Sequence, residues 1–439
     1  MRYFVGIDLG STTTKAIILG DSGAILGRGI TNSRSNYDVA CQIAVGEALN
    51  NARFSLMDDQ MKNLGMEPAE REIVLLEFGE AFRLQQYLSQ LSALHARLLE
   101  HADAGGHGTG VESTVSGITD RMAREAEAFF RAGANRKSDF FRDLAGSRYL
   151  ELAEEVSRSG GPCFDVLIGL FDKAILEVEN TNTEAGFEAM ARKSLASLDG
   201  APAAAVEALE TVLAVTMHRV GSVGTGYGRQ RLRFPKEQIR SEILCHGLGA
   251  HAMFPRTRTV LDIGGQDTKA IQVDSKGIVT SFQMNDRCAA GCGRYLGYIA
   301  DEMNLGLHEL GPMADASCRP VRINSTCTVF AGAELRERLS LGERREDILA
   351  GLHRAIILRA MSLLARSGGI EDEFTFTGGV ARNSAAVGAL RQLVEENYGD
   401  LRLNISPDSI CTGALGAALF ARKSAERPDD GVARPEVAA

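Results

Sequence analysis

The residues best suited to chemistry lie within 261–294. One apolar run ends at Ile263 and a second covers 270–273, a pattern typical of a β-hairpin when small polar residues separate the runs. The turn between them consists of Gly264, Gly265, Gln266, Asp267, Thr268 and Lys269. Glycines let backbone N–H groups approach a phosphate, and Asp262 and Asp267 have oxygens suited to Mg²⁺ or to a water molecule. The sequence therefore predicts a phosphate-binding turn.

Two cysteines in small-residue turns beside predicted helices form a second candidate site. Cys288 precedes a helical pattern that begins near Tyr295, and Cys327 lies in the run STCTVF. Neither belongs to a Cys-x-x-Cys zinc ribbon, and cysteine clusters in a chain without a disulfide scaffold indicate metal or redox chemistry. Two thiolates are too few for a [4Fe–4S] cluster, which takes four. A dimer interface would supply the other two by symmetry or pseudo-symmetry.

The remaining cysteines are expected to be small packing residues. They are Cys41, Cys163, Cys245, Cys318 and Cys411. Cys292 is also interpreted as a packing residue, with a spare metal ligand as the alternative.

A hairpin with the same pattern opens the chain. Apolar runs at 3–7 and 16–19 enclose a polar turn that also contains Ser11, Thr12 and Thr13. The equivalent positions in the two hairpins are Asp8 and Asp262, Gly10 and Gly264, and Lys15 and Lys269. A repeat at a separation of about 250 residues favours two related lobes that face one nucleotide.

A third glycine-rich turn follows a predicted strand at 374–377. Gly378 and Gly379 would let the backbone lie against an adenosine, and Asn383 opens the next predicted helix. The sequence has no Gly-x-x-x-x-Gly-Lys-Ser/Thr loop, which excludes a P-loop enzyme. With the two hairpins, this turn predicts a nucleotide site.

Length and charge limit the class of protein. A chain of 439 residues is expected to form two or three domains. Its net charge of −9 argues against nucleic acid as a partner. No apolar run has transmembrane length and no signal segment opens the chain, so no membrane association and a cytoplasmic location are expected.

The patterning changes along the chain and predicts its organisation. Residues 1–53 and 211–254 are assigned to a first lobe and residues 255–422 to a second lobe that carries the cysteines. Helical periodicity dominates residues 54–210, which are assigned to an insertion without a metal or nucleotide motif. The charged tail at 423–439 is expected to be disordered.

The chain resembles the ATPase family of benzoyl-CoA reductases and 2-hydroxyacyl-CoA dehydratase activators. The motifs that carry the resemblance occur in family order over residues 1–53 and about 211–422. They are GIDLGSTTTKAIIL, GTGYGR, LDIGGQDTKA, NDRCAAGCGR, STCTVFA, TGGVARN and GALGAAL. The resemblance implies an α/β, two-lobed RNase H-like fold, shared with acetate and sugar kinases, heat-shock chaperone ATPases and actin, together with a large helical insertion.

The resemblance also implies the cofactors and the roles of residues. Cys288 and Cys327 would hold one [4Fe–4S] cluster between this chain and a second ATPase subunit. Asp8, Asp262 and Gln266 would be catalytic, surrounding the γ-phosphate, Mg²⁺ and the attacking water. The ATP-binding residues would be Gly10, Ser11, Thr12, Thr13, Lys15, Gly264, Gly265, Asp267, Lys269, Gly378, Gly379 and Asn383.

The helical insertion favours one branch of that family, because the simple dehydratase activators lack it. It is similar to the larger ATPase subunit of ferredoxin-dependent benzoyl-CoA reductase. That subunit would couple ATP hydrolysis to electron transfer from reduced ferredoxin for the dearomatising reduction of benzoyl-CoA. The implied partners are a homologous smaller ATPase subunit and two further subunits with the benzoyl-CoA site and iron–sulfur clusters.

Three alternatives stay open. A dehydratase activator would use the same nucleotide turns and cysteines, although Cys292 stands where activators usually have threonine. A sugar or acid kinase of the same superfamily would leave Cys288 and Cys327 without a role. A chaperone-like ATPase would need a peptide-binding domain, for which the helical insertion gives no β-sandwich signal.

Overall fold

The computed structural model describes residues 1–33, 36–106, 109–131, 140–179, 186–231, 234–285, 288, 291–323, 327–371 and 373–426. Contacts divide the chain into a helical unit, which is Met1 with residues 34–217, and an α/β unit, which is residues 2–33 and 218–439. Most of the expected disordered tail, residues 427–439, lies outside the described residues.

The helical unit is built on two apolar cores. Its helices are α1 (Tyr37–Asn63), α2 (Pro68–Ala104), α3 (Thr109–Phe129), α4 (Phe141–Arg158), α5 (Phe164–Glu179), α6 (Phe187–Ala196) and α7 (Ala203–Ala214). One core joins the first half of α2 to α1, α6 and α7, and the other joins its second half to α3, α4 and α5. The long helix α2 therefore connects two small bundles.

The start of the helical unit differs from the boundary proposed at residue 54. Helix α1 continues without a break through that position, because its buried face carries on from Ala44, Ala48 and Ala52 to Met57 and Met61. Contacts accordingly group residues 34–53 with the helical unit rather than with the first lobe.

The first lobe of the α/β unit contains a four-stranded sheet. Its strands are β1 (Arg2–Leu9), β2 (Thr13–Gly20), β3 (Ile25–Asn32) and β4 (His218–Thr225), in the order β3-β2-β1-β4. Strand β1 pairs antiparallel with β2 and parallel with β4. Its continuous burial from Tyr3 to Leu9 matches its central place in the sheet.

The second lobe repeats this topology in a five-stranded sheet. Its strands are β5 (Thr259–Ile263), β6 (Thr268–Val273), β7 (Val279–Asn285), β8 (Phe374–Thr377) and β9 (Leu403–Ile405), in the order β7-β6-β5-β8-β9. Strand β5 pairs antiparallel with β6 and parallel with β8, as β1 pairs with β2 and β4. The repeat seen in the sequence is therefore a repeat of structure.

Helices cover both sheets. They are α8 (Glu242–Met253), α9 (Gly293–Met303), α10 (Leu310–Asp315), α11 (Thr328–Ser340), α12 (Arg345–Ser367), α13 (Ser384–Tyr398) and α14 (Thr412–Glu426). Helix α14 packs on β1 and β4, and α8 lies between α14 and the strands β5, β6 and β7. Helix α8 thus contacts elements of both lobes.

Helix α12 is the one helix in the described ranges that is long and apolar enough to span a bilayer. Its 23 residues include Leu349, Leu352, Ile356 and Leu364, which are buried in the core of the second lobe. A core helix meets the same length and hydropathy criteria, and the burial of α12 identifies it as one.

Candidate functional site

The first predicted phosphate turn joins β1 to β2. Asp8 and Lys15 are register partners, and the Lys15 ammonium lies 3.5 Å from Asp8 Oδ2. The hydroxyl of Ser33 at the end of β3 donates to the Gly10 carbonyl at 2.6 Å, and the Ser33 N–H donates to the Thr12 carbonyl at 2.8 Å. The turn is therefore fixed from behind, while Ser11, Thr12 and Thr13 are partly or fully exposed.

The second turn repeats this geometry between β5 and β6. Asp262 and Lys269 are register partners, with the ammonium 3.2 Å from Asp262 Oδ2. The Gly264 N–H donates to the Asp267 carbonyl at 2.9 Å, which closes the turn, and Gln266 is exposed at its tip.

The turns of the two lobes approach each other closely. A Cβ at Gly265 would lie 2.4 Å from the hydroxyl oxygen of Thr12, so the backbone of the second turn lies directly against this side chain of the first turn. Gly378 has φ +90° and its backbone packs on β5, where a Cβ would lie 2.4 Å from the Ile263 carbonyl oxygen. The three predicted turns therefore lie close together, and Gly379 is exposed beside them.

Asn383 is placed as a helix cap. Its side-chain oxygen accepts the N–H of Ala386 at 3.0 Å, which satisfies one of the unpaired donors at the start of α13. The described contacts of Asn383 are thus those of a capping residue.

Lys269 is the centre of a buried ion cluster. Its ammonium lies 2.8 Å from Glu242 Oε1, 2.9 Å from Asp267 Oδ1 and 3.2 Å from Asp262 Oδ2, and its side chain is 2% exposed. Burial alone would lower the pKa of Lys269, but the carboxylates of Asp262, Asp267 and Glu242 outweigh it and hold this pKa well above its usual value. Lys269 therefore holds the three carboxylates together behind the second turn.

Asp262 is buried, and both of its oxygens have partners. The Thr377 hydroxyl donates to Oδ1 at 2.7 Å, His246 Nδ1 lies 3.3 Å from the same oxygen, and Lys269 contacts the other. Burial alone would raise the pKa of Asp262, but the charges of His246 and Lys269 lower it. The carboxylate is consequently ionised across the physiological range.

Three members of this cluster were absent from the predicted site. Thr377 ends β8, and Glu242 and His246 lie one turn apart on α8. Burial is the largest effect on Glu242 and raises its pKa, whereas the Asp262 carboxylate outweighs burial of His246 and raises the pKa of the imidazole. The available signal was a Glu and a His at i, i+4 spacing in an otherwise apolar helix.

Helix α9, which follows Cys288 and Cys292, is hydrogen-bonded directly to the second turn. Its first N–H groups, from Gly293 and Arg294, donate to the carbonyls of Gly264 and Gly265 at 2.8 and 2.7 Å. Cys292 is the N-cap of α9 and is fully buried, in agreement with its packing interpretation. The Thr268 hydroxyl adds a hydrogen bond to the carbonyl of Gly291.

The two candidate cluster ligands stand at helix starts. Cys288 is half-buried shortly before α9, and its carbonyl accepts from the Asn285 side chain at 3.0 Å. Cys327 is the exposed N-cap of α11. Residues 286–287, 289–290 and 324–326 of these motifs lie outside the described residues. In the described part of the chain, no three His, Cys, Asp or Glu side chains form a group able to hold a metal.

The packing interpretation is correct for three of the other five cysteines and wrong for two. Cys41, Cys245 and Cys411 are buried, and burial raises the pKa of their thiols to about 12, 12 and 11. Cys163 and Cys318 are exposed instead. Both lie in short segments between helices, where a small apolar residue is not enclosed on all sides.

Two lobes that share one strand topology, each with a glycine-rich turn in its first hairpin, define an RNase H-like fold. The chain belongs to the BadF/BadG/BcrA/BcrD ATPase family, whose model matches residues 5–421. The family prediction made from the motifs is thereby confirmed.

Individual relatives divide between two kinds of system. The (R)-2-hydroxyglutaryl-CoA dehydratase activating ATPase of Acidaminococcus fermentans is 43% identical over 206 residues, which are 47% of this chain and 76% of that protein. A benzoyl-CoA reductase subunit of Thauera aromatica is 31% identical over 175 residues, 40% of this chain and 62% of that protein. These identities favour the dehydratase activators over the benzoyl-CoA reductase branch.

The fold prediction is confirmed by a solved structure. The crystal structure of A. fermentans (R)-2-hydroxyglutaryl-CoA dehydratase component A superposes with a TM-score of 0.56 at 24% identity. The match covers 97% of this chain and 100% of that chain.

Replacing Lys269 by Met tests the ion cluster. The variant leaves Asp262, Asp267 and Glu242 close together without their shared cation, and removing one partner of a buried ion pair costs about 3–5 kcal/mol. We expect the free energy of unfolding of the α/β unit to fall by that amount. Urea unfolding would measure it, with hydrogen–deuterium exchange assigning the transition to β5 and β6.

Lys276→Met is the matched control, because Lys276 is exposed in the turn between β6 and β7. This change should stay within about 0.5 kcal/mol of the parent. If Lys269→Met and the parent had the same urea midpoint of unfolding, the cluster would not stabilise the fold.

Proposed function

We propose that this chain is an ATP-hydrolysing activator that passes low-potential electrons to a partner enzyme acting on an acyl-CoA. One observation carries the proposal, which is the pair of hydrogen bonds from the start of α9 to the carbonyls of Gly264 and Gly265. These bonds tie the candidate nucleotide turn to the helix that follows Cys288. A kinase of the same superfamily would leave Cys288 and Cys327 without a role.

ATP would lie between the two turns, and backbone N–H groups of Gly10–Thr13, Gly265 and Gln266 would face its phosphates. Lys15 is the cation nearest the first turn, and its ammonium would offset phosphate charge. Gly378 and Gly379 would lie against the adenosine, where a side chain on Gly378 has no room.

Asp8 fits a role as the carboxylate that holds Mg²⁺. A Cβ at Gly226 would lie 2.5 Å from Asp8 Oδ1 and one at Gly413 would lie 3.0 Å from Oδ2, so glycine backbone rather than side chains packs against this carboxylate at both positions. Mg²⁺ is usually bound by one or two carboxylates, water and phosphates, and when bound it would neutralise charge on the phosphate oxygens.

Hydrolysis in this arrangement depends mainly on position and charge. Gln266 is exposed at the tip of the second turn, where its amide group would orient the attacking water. Asp262 lies directly behind that turn, where it would set the field at the γ-phosphate and fix Lys269 and His246. Both of its oxygens already have partners, Thr377 and His246 on one and Lys269 on the other, which makes it a positioning residue rather than a direct ligand of the phosphate.

Cys288 and Cys327 fit one half of a cluster site. Cys327 is the N-cap of α11 and Cys288 shortly precedes α9, and the positive end of a helix dipole favours an anionic cluster. A [4Fe–4S] cluster takes four thiolates, so a second subunit would supply two. When bound, the cluster would accept and release single electrons at low potential.

We favour a 2-hydroxyacyl-CoA dehydratase as the electron acceptor, because identity to a dehydratase activator is 43% and to the T. aromatica benzoyl-CoA reductase subunit is 31%. The large helical unit supports the benzoyl-CoA reductase alternative, with reduced ferredoxin, a shorter ATPase subunit and two iron–sulfur subunits as partners. If this choice is right, the chain delivers electrons to a dehydratase component and not to a benzoyl-CoA-reducing component.

Substituting either Cys288 or Cys327 by Ala tests the cluster ligands. Each variant removes one thiolate from a site that has no spare ligand, so anaerobically reconstituted protein should lose its iron and its low-temperature EPR signal. ATP should still bind. Cys318→Ala is the matched control, because Cys318 is also exposed and should leave the iron content unchanged. A full cluster in either test variant would contradict the assignment.

Changing Asp262 to Asn tests the hydrolytic site. The amide keeps the shape of the carboxylate but removes the charge that balances Lys269 and His246, and losing such an electrostatic contribution lowers kcat by about 100-fold. Steady-state ATP hydrolysis and nucleotide affinity should be measured on the same preparation, with affinity expected within about threefold of the parent.

Asp274→Asn is the control for that change. The Asp274 carboxylate accepts the N–H groups of Lys276 and Ile278 in the turn between β6 and β7, a role that Asn also serves. Hydrolysis by Asp262→Asn at the rate of Asp274→Asn would mean that Asp262, too, does no more than shape its turn.

A further inference from the structure

His246 lies between the carboxylates of Asp262 and Glu242, behind the paired turns. Its Nδ1 is 3.3 Å from Asp262 Oδ1 on the second lobe and 3.3 Å from the Thr412 hydroxyl at the start of α14. Its Nε2 faces Glu242 Oε1 at 4.0 Å, and its side chain is 6% exposed.

The imidazole of His246 fits here because residue 413 is glycine. A Cβ at Gly413 would lie 2.7 Å from His246 Nε2 and 3.0 Å from Asp8 Oδ2, so a side chain there would meet both groups. The imidazole thus lies beside Asp8 of the first lobe while it contacts Asp262 of the second lobe.

Helix α8, which carries His246, is held against α14 by backbone contact. A Cβ at Gly249 would lie 2.0 Å from the Thr412 carbonyl oxygen, and a Cβ at Gly416 would lie 1.9 Å from the Cys245 carbonyl oxygen. Close packing on both sides of His246 leaves its ring little freedom to move.

The neighbouring groups determine which ring nitrogen carries a proton. The Thr412 hydroxyl donates its own hydrogen to the Ser409 carbonyl at 3.0 Å, so its oxygen is left as an acceptor. The Asp262 carboxylate can only accept. Nδ1 therefore carries a proton and donates toward Asp262 and Thr412.

We propose that His246 is a positioning residue for ATP hydrolysis, and that its Nδ1–H holds the Asp262 carboxylate in register with the start of α14 across the two lobes. The inference rests on the proposed function, because it assigns His246 to the hydrolytic step. It adds a hydrogen bond from α8 to Asp262 beside the ion pair of Glu242 and Lys269, which also joins α8 to the second lobe.

Two substitutions separate the ring nitrogens. The amide nitrogen of Asn stands near the position of Nδ1 and that of Gln near the position of Nε2, so only Asn keeps the donor toward Asp262. We expect kcat for ATP hydrolysis to stay within about threefold of the parent in His246→Asn. In His246→Gln it should fall by about 10- to 100-fold, with KM for ATP within about twofold, as for other supporting hydrogen bonds.

A matched pair at His353 controls for burial. His353 is also buried in the α/β unit, but its Nδ1 bonds the Leu349 carbonyl at 2.7 Å within α12. His353→Asn and His353→Gln should lower the thermal midpoint without separating in kcat. Equal kcat for His246→Asn and His246→Gln, at whatever level, would overturn the inference.

A second variant keeps the test decisive if the His246 variants do not fold. Thr412→Val removes one acceptor of the Nδ1–H and should lower kcat about three- to tenfold, and Thr412→Ser should restore it. A parental kcat in Thr412→Val would also overturn the inference. A parent chain that hydrolyses no ATP would overturn the proposed function and this inference together, whereas normal hydrolysis with no Asn/Gln difference would overturn the inference alone.

Discussion

Two hydrogen bonds hold the second candidate nucleotide turn, between β5 and β6, and helix α9 together. The carbonyls of Gly264 and Gly265 accept the first N–H groups of α9 at 2.8 and 2.7 Å, and these donors have no partner within their own helix. The turn thereby serves as the cap of α9. Movement of the turn must move the start of α9, or else break these two hydrogen bonds at a cost of about 0.5–1.5 kcal/mol each.

The buried ions fix that turn to the rest of the α/β unit. Lys269 holds Asp267 on the turn, Asp262 at the end of β5 and Glu242 on α8, so one cation joins the turn, the strand and the helix between the lobes. Because these charges are removed from water, their geometry must be well satisfied or the cluster would destabilise the fold. We infer that the second turn moves together with α8 rather than independently of it.

Local patterns were sufficient for the hairpins and for most helices. The sequence predicted a hairpin around each turn and matched Asp8 with Asp262 and Lys15 with Lys269. The sheets add that Asp8 pairs with Lys15 and Asp262 with Lys269 across each hairpin. The ion partners contributed by α8 were not predictable, because Glu242 and His246 reach Lys269 and Asp262 only through tertiary packing. The exposure of Cys163 and Cys318 was missed for the same reason, since burial depends on neighbours distant in sequence.

The central claim is that the nucleotide turn controls the surroundings of a cluster held by Cys288 and Cys327. Redox titration followed by EPR, on anaerobic iron-loaded protein with either ADP or a slowly hydrolysed ATP analogue, tests this claim most directly. The account predicts a cluster whose midpoint potential and EPR line shape differ between the two nucleotides, because cluster potential responds to hydrogen bonding and solvent exposure. Identical potentials and spectra with both nucleotides would contradict it.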